Sequence, residues 1–310
     1  MRQGEVASKG FLGPGNAQGG VSAPEPLILP DPATRFLRMA TRLEALSAGH
    51  PMAEWLRFMA QLGRAQHCAA TRLSPLPGPA PAAIRQAVEA RMPPLSADGH
   101  RRDPIWHDGL ILLLDSFDGT AAPASARAVM ASLRGRPAKE ADALADGFLQ
   151  GEVAAAEAGA VFYVAAALQV YFTGLAAGLT AADLRLLPER GLCPCCGSTP
   201  VSGMVTASGS SPGTRYLHCS LCSTAWNHVR AVCITCGESG SVGLKGIDGD
   251  SGLVKAEACD DCHTYAKMIY QAQDMKADPF ADDLATLGLD VLVAEAGWLR
   301  HAPNPLLLVG

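Results

Sequence analysis

The feature that most restricts this chain is a set of four Cys-x-x-Cys pairs: Cys193/Cys196, Cys219/Cys222, Cys233/Cys236 and Cys259/Cys262. Moving the first two pairs forward by 40 positions lays them on the last two, so the stretch holds two copies of C-x2-C-x22-C-x2-C. Two thiolates separated by two residues can grip one metal ion from a tight turn. Two such turns brought together complete a tetrahedral four-thiolate site. A single pair says little, but four pairs in phase predict two metal sites. Sequential pairing puts Cys193, Cys196, Cys219 and Cys222 at one site and Cys233, Cys236, Cys259 and Cys262 at the other. The repeat favours this arrangement, because each copy is then a complete unit. The alternative is a cross-braced pairing of the first pair with the third and the second with the fourth.

Local chemistry around the pairs adds detail. Gly197 and Gly237 follow the second cysteine of their turns, where a knuckle needs positive φ so that backbone N–H groups face sulfur. Ser223 and His263 take that place after Cys222 and Cys262, so each copy is expected to have unlike halves. Thiolate tetrahedra hold zinc or a single iron. Spacing does not choose between them, though closed four-cysteine zinc sites are common staples of small domains. A four-cysteine iron–sulfur cluster suits two separate ribbon knuckles less well. Cys195, between two ligands, reads as a small side chain without a role, with a metal-activated thiol as the sharper alternative. Cys68 beside His67 is not a nucleophile pair, since neighbours on a helix point about 100° apart, and it reads as a core residue. His218, His228 and His263 flank the knuckles, but the four-cysteine count is complete without them, so they read as outer or surface groups.

Composition narrows the function. A chain of 310 residues with 48% hydrophobic and 18% charged side chains is expected to fold as about two globular domains. Nine of the ten cysteines lie between 193 and 262, at metal rather than disulfide spacing, and no basic-then-apolar leader opens the sequence. A cytoplasmic protein with reduced thiols is the expectation. Net charge is −5, and residues 193–262 carry four basic side chains against six acidic ones. A ribbon that grips nucleic acid shows the opposite balance. Closed four-thiolate sites leave no open position for a hydrolytic water, and no G-x-x-x-x-G-K phosphate loop is present. An enzyme is not expected.

Periodicity sets the predicted order of elements. Residues 1–30, rich in Gly, Pro, Ser and Ala, read as a flexible or loosely docked tail. Residues 31–188 read as a helical domain. Asp31-Pro32 is a cap followed by Pro at the first helical position; the helix carrying Phe36, Met39, Ala40, Leu43 and Leu46, stopped by Gly49, and a second opening at Pro51 with Trp55, Phe58, Met59 and Leu62 should form a hairpin. Further helices are expected at 83–91, after Asp103-Pro104, at 123–134 and at 138–156, with a capping box at Thr180–Asp183. Between Glu157 and Asp183 lie 25 uncharged residues, long enough to cross a membrane. Tyr163, Gln169, Tyr171 and Thr173 interrupt them and many of the rest are Ala or Gly, so a helix buried on all sides is preferred over a membrane span. Residues 189–230 and 231–265 read as two metal-binding subdomains, with β-like runs at Val201–Val205 and Ala225–Val232. Residues 266–310 read as C-terminal helices and a tail packing on the body, with helical stretches at 263–275 and 281–296.

Four segments together carry a resemblance. CPCCGSTP (Cys193–Pro200), CSLCSTAWNHVRAVCITCG (Cys219–Gly237), AALQVYF (Ala166–Phe172) and ADDLATLGLDVLVAEAGWLRHAPNPLLL (Ala281–Leu308) resemble the formate dehydrogenase accessory proteins of the FdhE family. The likeness spans roughly residues 30 to 310; Cys195 and the N-terminal tail lie outside the family pattern. It implies an N-terminal all-helical domain followed by two tandem rubredoxin-like, or zinc-ribbon-like, subdomains, an α plus small β fold. It also implies a cytoplasmic maturation factor that binds the catalytic subunit of a respiratory formate dehydrogenase. The eight paired cysteines would be the ligands of two mononuclear iron sites, iron being implied by the resemblance and zinc remaining the alternative. Self-association is left open. A rubredoxin-like electron-transfer component is the second reading, and a zinc-ribbon module for nucleic acid or protein the third.

Overall fold

The helical half starts where the sequence places its first cap. In the computed structural model, which describes residues 23–117, 122–209 and 211–307, the Asp31 carboxylate accepts the Ala33 N–H at 3.0 Å and Pro32 opens α1 (Pro32–Ser47). Phe36, Met39, Ala40 and Leu43 form its buried stripe, packed on α2 (Ala53–Arg72) as the expected hairpin. After the Pro-rich connection come α3 (Pro81–Glu89), α4 (Ile105–Ser116), α5 (Ala124–Arg134), α6 (Ala138–Gln150) and α7 (Ala158–Ala177). The sixth helix stops well short of 156, because Gly151 adopts the left-handed conformation at φ 77° and ends it. The Thr180 side chain makes no capping bond, and only a 3-10 turn forms at Ala181–Asp183.

Helix α7 is the axis of this half. The stretch Ala155–Ala177 is long and apolar enough to cross a membrane, yet 83% of its apolar window is buried inside the protein. Helices α2, α4, α5 and α6 cover it, which is why it is apolar on every side.

The second half is one sheet. Its strands are β1 (Leu27–Ile28), β2 (Pro200–Val205), β3 (Arg215–Cys219), β4 (Ala225–Asn227), β5 (Val242–Lys245), β6 (Val254–Cys259), β7 (Thr264–Tyr270) and β8 (Leu299–Arg300). The order is β1-β4-β3-β2-β7-β6-β5, with β8 also on β7. Each cysteine copy contributes an antiparallel ribbon, and the ribbons fuse through a parallel pairing of β2 with β7, Gly203 opposite Met268. A β-carbon at Gly203 would meet the Met268 sulfur, so a larger residue at the seam requires that side chain to move. Arg215 on β3, fully buried, pairs with Glu257 on β6 and also donates to the Val232 carbonyl at 3.2 Å. The two ribbon-like units therefore share one sheet.

Three expectations change. The predicted tail reaches into the fold: residues 1–22 lie outside the described residues, but Leu27 is buried and pairs with Trp226, so β1 edges the sheet. Residues 263–275 are not a helix. Thr264–Tyr270 is strand β7, flanked on both sides and buried over five consecutive residues; burial on both faces removes the alternation that marks a strand in sequence. The 281–296 helix is broken at Thr286 into α8 (Ala281–Ala285) and α9 (Leu287–Glu295). The Thr286 hydroxyl bonds back to the Asp282 carbonyl at 2.8 Å. Lys267, fully buried in β7, reaches Asp283 at 3.0 Å and Asp290 at 2.6 Å. Asn304 also donates to Asp283 at 2.8 Å. This charge cluster ties the C-terminal helices to the sheet, and Leu306 packs into the core.

Candidate metal centres

The eight paired cysteines form two groups, Cys193, Cys196, Cys219, Cys222 and Cys233, Cys236, Cys259, Cys262, with the four sulfurs of each group within 4.8 Å of one another. The pairing in space is sequential, not cross-braced. In the first group Cys193 and Cys222 stand 3.5 Å apart and Cys196 and Cys219 3.4 Å; in the second, Cys233 and Cys262 stand 3.6 Å apart and Cys236 and Cys259 3.7 Å. Four sulfurs about 2.3 Å from one tetrahedral ion would sit about 3.8 Å from each other. A disulfide would need about 2.05 Å, and all the cysteines are free. The donor sets fit one tetrahedral thiophilic ion each.

Backbone geometry explains how the chain delivers these sulfurs. Gly197 and Gly237 have φ near 80°, as the knuckle requires, but Ser223 and His263 also adopt positive φ, at 60° and 52°. The halves of each copy differ in residue type and not in backbone shape. The resulting turns aim N–H groups at sulfur. Leu221 and Cys222 donate to Cys219 at 3.4 and 3.3 Å, and Thr235 donates to Cys233 at 3.4 Å. A threonine two residues past each copy's last cysteine touches its sulfur: Thr224 with Cys222 at 3.2 Å, Thr264 with Cys262 at 3.0 Å.

Electrostatics also favours an ion. Burial pushes the thiols of Cys193 and Cys219 up, and only Cys222 is driven well down, where hydrogen bonds from its three companions and Cys195 overcome its desolvation. Four buried sulfurs cannot all ionise side by side without a cation. In the second group desolvation opposes ionisation of Cys233, but N–H groups of Cys236 and Thr235 outweigh it and bring that thiol to about 7.

The surroundings of the two groups differ. All four cysteines of the first are buried; in the second Cys236 is exposed and Cys262 half-buried. The helical half seals the first. Leu95 and Ala97 donate their N–H groups to the carbonyls of Cys195 and Cys196 at 2.9 and 2.7 Å. From α7, Gln169 donates to the Ser220 carbonyl at 2.8 Å while accepting from Gln66 of α2 at 2.9 Å. Ser223 bonds Thr173 of α7 at 3.1 Å and accepts from Arg35 of α1 at 3.0 Å. Arg35 lies 3.3 Å above the Phe280 ring. Gln169 and Thr173, which break up the apolar stretch, are therefore the contacts that seat the Cys219/Cys222 knuckle of the first site. Their four-residue spacing on one helix face was the signal available in sequence.

The remaining sulfur and imidazole groups stay outside both sets. Cys195 is buried in contact with Cys193 and Cys222. Cys68 is half-buried on α2 rather than in the core, its thiol held down by Ser116 and by Arg72, whose guanidinium lies 3.7 Å away. His218 packs edge-on to Phe280, His228 is buried, and His263 is exposed. Beside the second site opens a cavity of about 520 Å³, reached by Cys233, Cys236, His228 and His301. Nothing in the sequence marked His301 as part of it.

Comparison with known proteins agrees with this architecture. Family descriptions match in three consecutive pieces: "FdhE, N-terminal" over residues 24–189, "FdhE, central domain" over 192–230 and "FdhE, C-terminal domain" over 231–307. An FdhE homolog of Edwardsiella ictaluri is 37% identical over 92% of both chains. A homolog from Pseudomonas aeruginosa is 36% identical over 98% of this chain and 99% of its own. Protein FdhE of Escherichia coli K12 is 34% identical over 92% of both. The crystal structure of the FdhE protein from Pseudomonas aeruginosa superposes with a TM-score of 0.83 at 35% identity, covering 92% of this chain and 99% of that one. With relatives this similar over nearly its whole length, and with two four-cysteine sites on one fused sheet, the chain belongs to the FdhE family.

Proposed function

We propose that this protein is a cytoplasmic, non-catalytic accessory factor that binds the catalytic subunit of a respiratory formate dehydrogenase during assembly. In this reading the eight paired cysteines hold two metal ions, iron in each. The observation that carries the proposal is the pair of closed four-sulfur groups, one sealed against a large helical body and one at the surface. Closed thiolate tetrahedra supply shape and redox capacity rather than an open coordination position for substrate. Membership of the FdhE family supports the choice of partner, and the family resemblance supports iron over zinc. The test is anaerobic purification with elemental analysis and visible spectroscopy, followed by capture of the catalytic subunit. Two iron equivalents with ferric-thiolate colour, and co-purification of that subunit, are expected. Colourless protein with two zinc equivalents would overturn iron, and failure to capture the subunit would overturn the partner.

The exposed Cys236 favours a second reading, a rubredoxin-like electron-transfer component. Electron exchange needs a centre near the surface, which the second site provides and the first does not. Formate-coupled reduction of the iron by a formate dehydrogenase, at a rate matching turnover, would decide for this reading over the first.

A further inference from the structure

Resting on the reading of the second cysteine group as a metal site, we propose that His301, Thr235 and Thr264 form a positioning relay that holds the Cys262 sulfur and sets how fast this site exchanges its metal. The chain of contacts is continuous. His301 Nδ1 lies 2.7 Å from Thr235 Oγ1, Thr235 Oγ1 lies 2.8 Å from Thr264 Oγ1, and Thr264 Oγ1 lies 3.0 Å from Cys262 Sγ. Ligation gives this chain a direction. A metal-bound thiolate can only accept, so the Thr264 hydroxyl donates to sulfur. In the structure the Thr264 hydroxyl donates to Thr235 at 2.8 Å; once the sulfur is a metal-bound acceptor that hydroxyl turns to Cys262, and Thr235 and the ring N–H at His301 Nδ1 then donate along the chain. Every proton in the chain points at the ligand, and His301 keeps its neutral Nδ1–H form with the other ring nitrogen as its acceptor. His301 follows β8, which pairs with β7, and its backbone N–H bonds the Tyr265 carbonyl at 2.8 Å, so the ring is placed by the sheet and not by a loose tail.

The duplicated site is the internal control. Forty positions earlier Thr264 corresponds to Thr224, whose hydroxyl accepts from the Cys222 thiol at 3.2 Å, so the same threonine–sulfur contact is present in both copies. Thr235 corresponds to Cys195, whose side chain meets Thr224 but carries a thiol, a weak donor. The first site has a short chain ending in a buried thiol; the second has a hydroxyl chain ending in an imidazole at the cavity. The difference matches the exposure of the two sites. The first is shielded from water by the helical half. The second faces water and competing protons, so a hydrogen bond that orients its thiolate and lowers its basicity slows dissociation. Loss of such an outer partner typically weakens metal retention by about 10-fold to 100-fold.

The test uses the full chain loaded with cobalt(II), read by its thiolate charge-transfer absorption, and challenged with excess chelator. Wild-type protein is expected to release one equivalent fast and one slowly. Thr235→Val should speed the fast phase about tenfold and leave the slow phase unchanged, while Thr235→Ser, which keeps the hydroxyl, should behave as wild type. His301→Phe should also speed the fast phase alone. The unchanged slow phase reports that the fold is intact. A Thr235→Val protein with wild-type fast release, or with both phases accelerated equally, overturns the relay while leaving the metal sites standing. A chain that takes up no cobalt overturns the metal reading and the relay together.

Discussion

The two cysteine sites share their spacing, their knuckle backbone and their adjacent threonine, yet one is buried on all sides and the other has an exposed ligand. The first site is gripped by α1, α2, α7 and the loop at Leu95–Ala97. The second is carried by the sheet, with the Trp298 indole donating to the Cys259 carbonyl at 3.2 Å, and opens to a cavity. Ligand spacing therefore specifies which sulfurs gather, while packing specifies what else can reach them. Duplication of one motif has yielded a keystone and a surface centre.

The sharpest way to break this contrast is to remove each site in turn. Closed thiolate sites can contribute on the order of 10 kcal/mol to folding. Cys193→Ser with Cys196→Ser should abolish the cooperative thermal transition of the whole chain and its soluble yield. Cys233→Ser with Cys236→Ser should lose one metal equivalent but keep a melting helical half. Equal damage from the two pairs, by circular dichroism and metal content, would show that the sites are equivalent after all.

The next largest effect concerns the seat of the first site. Gln169→Leu leaves the Ser220 carbonyl and one Gln66 N–H without their partner in the interior, the other Gln66 bond to the Ala166 carbonyl remaining, which should cost about 2 kcal/mol in urea unfolding. Chelators should then strip the first site faster and the second at the wild-type rate. Acid tests the other side of the molecule. Burial, helped by the positive charge of Arg215, holds His228 down to about 4, against roughly 6.5 in an unfolded chain. As pH falls the unfolded chain takes up this proton first. The contribution is therefore whole above about 6.5, declines between about 6.5 and 4, and then levels. His228→Gln should flatten the decline by about 1–2 kcal/mol, measured as the difference between the two stability curves so that cysteine protonation cancels.

The smallest effects come from a matched pair. Ser223 and His263 hold the same positive φ at equivalent positions, where a side chain costs about 1 kcal/mol. His263→Gly should raise the melting temperature slightly, because its side chain is exposed. Ser223→Gly should lower it, because the bonds to Arg35 and Thr173 are lost. A rise in both would mean that the helical half contributes nothing to the Cys219/Cys222 knuckle.

Some of this molecule was readable in one dimension. Asp31-Pro32 capped a helix as local chemistry demands, and α7 announced its burial by being uncharged over its whole length. Other parts were not. Strand β7 looked helical because both its faces are covered, and Lys267 within it is paired with Asp283 and Asp290 from later elements. Leu27–Ile28 became a strand only because β4 offered an edge. His301 has no motif around it, and its place beside Thr235 follows from β8 pairing with β7.

By itself the sequence determined the eight paired cysteines and their four turns, since a C-x2-C turn is a local structure, while the sequential grouping of those turns in space came from the fold. Only the tertiary structure decided that the ribbons merge through β2 and β7, that Gln169 and Thr173 seal one site, and that Cys236 and His301 meet the surface at the other. The physical reason is range. Metal-ligand spacing and caps act over a few bonds, whereas strand pairing, burial and hydrogen-bond relays join residues far apart in the chain, and their partners exist only once it has folded.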